Sequence, residues 1–338
     1  MPIGTGRTRP WSLFLALAFC LLLFSAGAEA SVGDRLPEFR DLVYPRTPPL
    51  ALRQPADFDA LFFLGHTALL HRLLLWTCPQ ECDHACQHII TSQRVARGEP
   101  VEQFHGKWPF TRVLGMQEPL SVLFSAGNLW AHYDGLRKVR AAMPAAYTLR
   151  PFYVALAYVG MTSWLLSCVF HTRDFRATEE LDYFGAGANV LYGMYYTVVH
   201  NFRLDRPSPR RRSVLRTWTL LCGLLYACHV AYLKLWSWDY GYNMGANVAC
   251  GLVQNVLWTR YSWVKYGETR RGWAMWPSFA VAWIILAMSL ELFDFAPIWG
   301  SVDAHSLWHL GTIGPTVLWY NFLIKDAQDD LEGERFKA

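Results

Sequence analysis

Charged residues are scarce in this chain, and their scarcity argues against an ordinary soluble domain. Asp, Glu, Lys and Arg make up 17% of the 338 residues, whereas soluble domains contain about 25%. Hydrophobic residues make up 53%, and the chain has 16 Trp, 16 Tyr and 20 Phe. Because the apolar residues come in long blocks, the composition predicts a protein that crosses a membrane several times.

Several common functional motifs are also absent. The sequence has no G-x-S-x-G nucleophile elbow, no P-loop and no G-x-G-x-x-G fingerprint. These absences argue against a serine hydrolase of the α/β type and against nucleotide chemistry. No inverted repeat indicates a transporter. The arginine run at residues 210–212 is expected to face anionic lipid headgroups, so no nucleic-acid partner is predicted.

The first 30 residues have the pattern of a secretory signal peptide. Arg7 and Arg9 precede an apolar run at residues 11–24, and an A-x-A site ends at Ala30. The pattern predicts cleavage after Ala30, with an uncleaved anchor helix as the alternative. The polar, proline-dotted stretch 31–112, called the N-terminal segment below, is then predicted to form a small luminal domain.

Three of the eight cysteines fall in the N-terminal segment: Cys78, Cys82 and Cys86. An oxidising lumen favours a disulfide among them, and their odd number leaves one thiol free or paired elsewhere. His84 and His88 interleave with these cysteines, so a zinc site is the alternative prediction.

Seven apolar blocks follow between residues 113 and 325. Each is close to the roughly 20 residues that a helix needs to cross hydrocarbon. The blocks are 113–132, 152–171, 181–200, 214–235, 242–262, 274–293 and 304–324. The loops after the first, third and fifth blocks are rich in Lys and Arg, and the other loops are not. By the positive-inside rule, the sequence predicts an all-α membrane protein, a seven-transmembrane-helix bundle with a luminal N-terminus and a cytosolic tail at 326–338.

Ionisable residues in these predicted spans converge at one depth. His171 ends the second span, Asp182 begins the third, and His305 and His309 begin the seventh. Ionisable groups at membrane depth are rare and tend to mark function. Because His305 and His309 are four residues apart, they share a helix face. Two imidazoles from one helix and a third from another predict a three-histidine site with an open position, as in catalytic zinc sites.

Other polar residues are predicted to complete this site. Asp182 is expected either to orient an imidazole or to accept a proton. Asp303 has the same two options, or it caps the seventh helix. Ser167 is a weaker candidate, because Ser in a span often bonds its own backbone. Glu291 and Asp294 could line the same cavity, although Asp294 could instead mark a helix exit. The alternative for the histidines themselves is a role in packing.

Seven segments of the chain are long and distinctive. They are QFHGKWPF (103–110), QEP (117–119), FHTRD (170–174), TEELDYF (178–184), DYGYN (239–243), LELFDF (290–295) and DAHSLWH (303–309). They closely resemble the Per-like family, whose animal members are called post-GPI-attachment-to-proteins factor three. The similarity runs from about Leu73 to the tail, and a distant similarity extends to alkaline ceramidases and adiponectin-receptor-like proteins. In one respect the chain differs: related proteins carry further cysteines early in the luminal segment, and residues 41–63 contain none.

The resemblance implies the ligands and catalytic residues. In the superfamily three histidines bind zinc, which implies His171, His305 and His309 as ligands in this chain. The Ser and Asp positions of the superfamily correspond to Ser167 and Asp182. Asp182 would accept a proton from water and pass it to the leaving group, and Ser167 would donate a hydrogen bond to the developing oxyanion.

The resemblance also implies the substrate and the compartment. The implied activity is removal of the sn-2 acyl chain from GPI-anchored proteins, in the membrane of the endoplasmic reticulum or the Golgi. GPI-anchored proteins and membrane lipids are the expected partners. Two alternatives are a non-catalytic chaperone or receptor with a structural zinc, and an amidase acting on ceramide-like lipids.

Overall fold

The computed structural model describes residues 31–43 and 67–335, and all regular elements in those residues are helices. The predicted signal peptide, with its cleavage site, lies outside the described residues, as do residues 44–66 of the N-terminal segment. The described part of that segment contains four helices: α1 (Val32–Arg35), α2 (Pro37–Val43), α3 (Thr67–Leu73) and α4 (Cys78–Ala96).

Seven helices of 18 to 32 residues follow in the described part of the chain. They are α5 (Pro119–Ala142), α6 (Arg150–Thr172), α7 (Arg176–Asn201), α8 (Pro209–Ala231), α9 (Tyr240–Thr269), α10 (Trp276–Phe293) and α11 (Ala304–Arg335). A π-helical turn, Tyr232–Trp236, continues α8, and a 3-10 turn, Gly272–Met275, leads into α10. Proline occupies the first turn of α5, α6, α8 and α10, where its fixed φ favours helix initiation and no amide donor is lost.

Three helical stretches among the described residues are long and apolar enough to cross a membrane: Arg150–Thr172, Pro209–Trp236 and Gly272–Glu291. Each predicted apolar block overlaps one of the seven long helices, but some ends differ. Helix α5 begins at Pro119 rather than at residue 113, because Leu114 and Gly115 have positive φ and form a turn. Helix α11 continues to Arg335, through most of the stretch that was predicted as a tail.

Six of the long helices form a closed ring. Each contacts the next in the order α5, α6, α7, α9, α10, α11 and back to α5, while α8 packs outside the ring against α7. An aromatic core, which includes Tyr153, Tyr196, Trp258, Tyr320 and Phe322, fills the interior of the bundle toward one of its two ends. The histidine-bearing helix ends lie at the other end of the bundle, where α5, α7 and α11 begin and α6 and α10 end.

Two glycines set how closely α5 approaches its neighbours. A Cβ at Gly160 of α6 would lie 2.2 Å from the ring of His132, and a Cβ at Gly135 of α5 would lie 2.2 Å from the ring of Tyr320. Both positions require glycine because the facing ring occupies the space of a side chain. These contacts fix α5 against both α6 and α11, which carry the candidate ligands.

Candidate functional site

The three histidines predicted as metal ligands lie together. His171 is in the last turn of α6, and His305 and His309 are in the first two turns of α11. Their ligand nitrogens all lie within 4.8 Å of one another. The Nε2 atoms of His171 and His305 are 3.3 Å apart. His171 and His309 are buried, whereas His305 is partly exposed, so the group is reached from one side.

Carboxylates hold two of the imidazoles. His171 Nδ1 lies 2.7 Å from an oxygen of Glu118, the residue before α5. His305 Nδ1 lies 2.8 Å from an oxygen of Glu291, near the end of α10. Because an ionised carboxylate only accepts hydrogen bonds, Nδ1 is the donor in both pairs, which leaves Nε2 of each neutral ring with a lone pair.

A hydroxyl holds the third imidazole. His309 Nδ1 is 2.9 Å from Ser125 Oγ, and Ser125 Oγ is 3.1 Å from Ser167 Oγ. Both serines are buried. Ser167 is therefore connected to His309 through Ser125, and Nδ1 of each of the three imidazoles has a polar partner.

This donor set fits a zinc ion. Three histidines are a common ligand set for catalytic zinc, with a fourth position left for water or substrate. Ligating histidines almost always donate their other ring N–H to a carboxylate, a carbonyl or water. Glu118 and Glu291 meet that requirement for two rings, and they bring negative charge close to the place where a cation would bind.

Asp182 lies beside this group. It is in the second turn of α7, and its charge interacts with His171, His305 and Glu118. Its carboxylate makes no side-chain hydrogen bond within the described residues, so its oxygens are available to accept a proton.

The two secondary candidates have other contacts. Asp303 Oδ1 accepts from the backbone N–H of Ser306 at 2.9 Å, and the Asp303 N–H donates to Ser306 Oγ at 3.1 Å. This reciprocal pair caps the start of α11. Asp294 ends α10 in the left-handed region, and it accepts from Gln103 Nε2 and Trp108 Nε1, each at 2.9 Å. Asp294 therefore ties α10 to the N-terminal segment.

Sequence reasoning missed Glu118, Ser125 and Lys107. Lys107 Nζ lies 2.6 Å from Glu118 and 2.8 Å from Asp174. Burial alone would lower the pKa of Lys107, but these two carboxylates raise it above its ordinary value. Lys107 therefore stays charged beside Glu118. A signal was present in the sequence: Glu118 is an acidic residue at the luminal end of the first predicted span, at the depth of the histidines.

The cysteines and histidines of α4 do not form one cluster. Cys78, Cys82 and Cys86 are spaced four apart along one side, and all three thiols are free. Burial raises the pKa of the Cys82 and Cys86 thiols. His84 and His88 lie about 200° around the helix from these cysteines, and both of their Nε2 atoms are 3.1 Å from the carbonyl oxygen of Phe110. The disulfide among the cysteines stays a prediction.

Known proteins resemble this chain over most of its length. Residues 68–327 match the Per1-like family. The chain is 42% identical over 316 residues to the protein PER1 homolog of Schizosaccharomyces pombe, covering 91% of each chain. It is 36% identical to proteins named GPI-specific phospholipase A2-like PGAP3 from Xenopus laevis, covering 91% of this chain and 94% of the relative, and from Homo sapiens, covering 93% and 95%. No solved structure matches the chain.

Proposed function

This chain belongs to the Per1-like family, and we propose that it remodels GPI anchors by metal-dependent hydrolysis of an acyl ester in the lipid. The names of the Xenopus and human relatives support the substrate and the phospholipase A2 type of reaction, in which the sn-2 chain is released. The observation that carries the chemistry is the convergence of three histidines, two of them held by buried or half-buried carboxylates.

The proposed ligands are His171, His305 and His309. Zinc bound by them would supply positive charge that polarises an ester carbonyl and makes a water molecule more acidic. Glu118 and Glu291 would keep two imidazoles oriented and would hold the proton on Nδ1. Ser125 would do the same for His309.

The proton would be moved by Asp182. Its carboxylate accepts a proton from the attacking water and returns it to the oxygen of the departing lyso-lipid, so that ester and water give a fatty acid and an alcohol. Ser167 would donate a hydrogen bond to the oxyanion that develops on the ester carbonyl. Both residues lie near the three imidazoles. The charge of Asp182 interacts with His171 and His305. Ser167 contacts Ser125, which contacts His309.

The proposal places the seven long helices across the membrane, with the histidines toward the lumen of the endoplasmic reticulum or the Golgi. Three stretches meet the length and hydropathy of a span by themselves, and the ring of contacts joins α6 and α10 to α5, α7, α9 and α11. The basic loops after α5, α7 and α9 lie at the opposite end from the histidines, as expected of a cytosolic face.

The proposal is tested with purified full-length protein and with cells that lack the native protein. Wild type is expected to contain about one zinc per chain and to release fatty acid from a GPI substrate. His305→Ala, at normal abundance, should lose both the zinc and the release. Full rescue of GPI remodelling by His305→Ala would refute the metal mechanism. Zinc bound by wild-type protein that releases no fatty acid would instead favour a non-catalytic role.

A further inference from the structure

A cleft of about 140 Å³ lies beside the candidate metal site and has no role in the proposed hydrolysis. One wall is α4, a second wall is the loop that contains Phe104 and Trp108, and the floor includes residues that follow α6.

The cleft is close to the histidines. Lys107 and Asp174 line it, and they are joined to each other by an ion pair. Lys107 also bonds Glu118, which bonds His171. Gln117, another lining residue, directly precedes Glu118 and accepts from the backbone N–H of Asp174 at 3.2 Å. One layer of side chains therefore separates the cleft from the ligand that ends α6.

The lining suits a hydroxyl-rich ligand. A hydroxyl donates and accepts hydrogen bonds, and the cleft offers groups of both kinds together with an indole ring. These groups are Gln80, Gln87, Gln117, Asp83, Asp174 and Trp108. Amide and carboxylate side chains at fixed positions can hydrogen-bond several hydroxyls at once and so distinguish ligands by the orientation of those hydroxyls.

The cleft also suits one negative charge. Lys107, Arg112 and Arg173 line it, against the carboxylates of Asp83 and Asp174. Lys107 pairs with Glu118 and Asp174, and Arg112 pairs with Glu81. Arg173 instead donates to neutral acceptors, two backbone carbonyls and the side-chain oxygen of Gln80. A phosphodiester carries one negative charge, which the charge of Arg173 would balance.

The loop wall is held in place before any ligand binds. His105 has positive φ, and its Nε2 lies 3.1 Å from Asp83 Oδ1 on α4. Trp108 donates from Nε1 to Asp294 at the end of α10. Asp294 is therefore a positioning residue for the indole rather than a part of the metal site.

We propose that this cleft binds the sugar and inositol phosphate headgroup of the substrate lipid and so selects a glycosylated phosphoinositol over other phospholipids. The proposal rests on the proposed function, because an ester at the histidines would place the acyl chains among the helices and in the bilayer. The headgroup of the same lipid must then lie on the polar side of the histidines, and the cleft occupies that side.

The test measures binding of an acyl-free glycosyl-inositol phosphoglycerol, which keeps the phosphodiester, to purified full-length protein by calorimetry. Trp108→Ala and Gln87→Ala are expected to weaken binding by at least about fivefold, because each removes a contact in the cleft. The matched control is Trp236→Ala, since this tryptophan is exposed and does not line the cleft. It should change the affinity less than twofold. Gln87 lies on α4, where Ala is a good helix former, so this variant folds even if Trp108→Ala does not.

Two results separate this proposal from the proposed function. If wild type releases fatty acid while Trp108→Ala and Gln87→Ala bind the headgroup as tightly as wild type, the cleft is not the headgroup site and the hydrolase stands. If wild type releases no fatty acid but binds the headgroup, and the two cleft variants lose that binding, the cleft proposal stands and the hydrolase does not. Failure of wild-type protein to bind the headgroup overturns the cleft proposal directly.

Discussion

The two ends of the helix ring contain similar residue types in different arrangements. At the histidine end, defined by His171, His305 and His309, carboxylates contact the Nδ1 side of the imidazoles and leave Nε2 atoms facing one another. At the opposite end, called the arginine end and defined by Arg203, Arg206 and Arg271, each carboxylate is surrounded by donors.

At the arginine end, two carboxylates of α11 each pair with two basic side chains. Asp330 accepts from Arg203 and from Arg206, each at 2.7 Å. Asp329 pairs with Lys265 at 2.7 Å and with Arg271. These contacts join α11 to α9 and to the loop after α7.

Asp326, one turn before Asp330, completes the arginine end. It accepts from His200 Nε2 at 2.9 Å and from the hydroxyl of Tyr261. The comparison teaches that a buried histidine–carboxylate pair does not by itself indicate a metal site. What distinguishes the histidine end is that three imidazoles bring ligand nitrogens within 4.8 Å of one another.

The largest contrast is expected from removing one histidine at each end. His171→Ala should lower the rate of acyl release by at least about 100-fold, because it removes a ligand. His200→Ala should keep the activity per folded molecule, since its partners lie at the arginine end. The two variants are compared by acyl release and by zinc content, both measured per folded protein. Equal losses in the two variants would contradict the distinction between the ends.

A smaller effect on the same site is expected from the carboxylates. Glu118→Gln and Glu291→Gln should each weaken zinc binding by about 10–100-fold, because the imidazole loses a charged acceptor. Competition with a zinc chelator measures this change. The matched variant at the arginine end is Asp330→Asn, for which the zinc affinity should be unchanged. Wild-type affinity in both glutamate variants would show that these contacts do not support the ligands.

Removal of a carboxylate from the arginine end should affect stability instead. Asp326→Ala leaves the buried His200 and the partly buried Tyr261 without their acceptor, which is expected to cost about 3 kcal/mol of unfolding free energy. Thermal unfolding in detergent checks the loss. The zinc content of the folded fraction should match wild type, and a selective loss of zinc would contradict the separation of the two ends.

Packing between the two ends is tested at Gly160. An alanine there would place its Cβ against the ring of His132, and overpacking of this kind costs about 1–3 kcal/mol. Because α6 also carries His171, a shift of α6 should weaken zinc binding as well. Gly251→Ala in α9 is the control, since its Cβ would meet nothing within 4 Å. Equal melting temperatures for the two variants would argue against the close approach of α5 and α6.

The last prediction concerns a histidine outside both ends, and its effect vanishes at neutral pH. Burial, together with the nearby Arg112, lowers the pKa of His84 to about 4. The unfolded chain binds a proton at His84 below about pH 6.5, while the folded protein does so only near pH 4. Acidification between these values therefore favours unfolding, by up to about 1.4 kcal/mol per pH unit. His84→Gln should flatten the pH dependence of the melting temperature in this window, and an unchanged slope would show that His84 does not contribute to it.

Local sequence patterns predicted part of this structure well. The second apolar block, 152–171, lies within α6 (Arg150–Thr172). Pro151 favours the start of a helix, and the apolar run continues almost to the end of α6. The four-residue spacing of His305 and His309, together with the alternating loop charges, predicted that His171 would join them, and the structure brings the three together. The predicted start of α5 was wrong by several residues, because the turn at Leu114 and Gly115 depends on backbone conformation and not on hydropathy.

Contacts between helices were harder to predict. The capping role of Asp303 was one of several options in the sequence, and only the bond to Ser306 distinguishes it. Glu118 and Ser125 were missed because their contacts depend on the rotation of α5 relative to α6 and α11. No periodicity within α5 encodes that rotation.

The sequence alone determined where the seven long helices lie, to within several residues at their ends, and that His305 and His309 share one face. These properties depend on residues a few positions apart. Only the tertiary structure decided that Glu118 meets His171, that Glu291 meets His305 and that a polar cleft lies beside them. Those contacts join side chains 14 to 53 positions apart, and they depend on packing such as that of Gly135 on Tyr320 and Gly160 on His132, which brings α5 close to both of its neighbours.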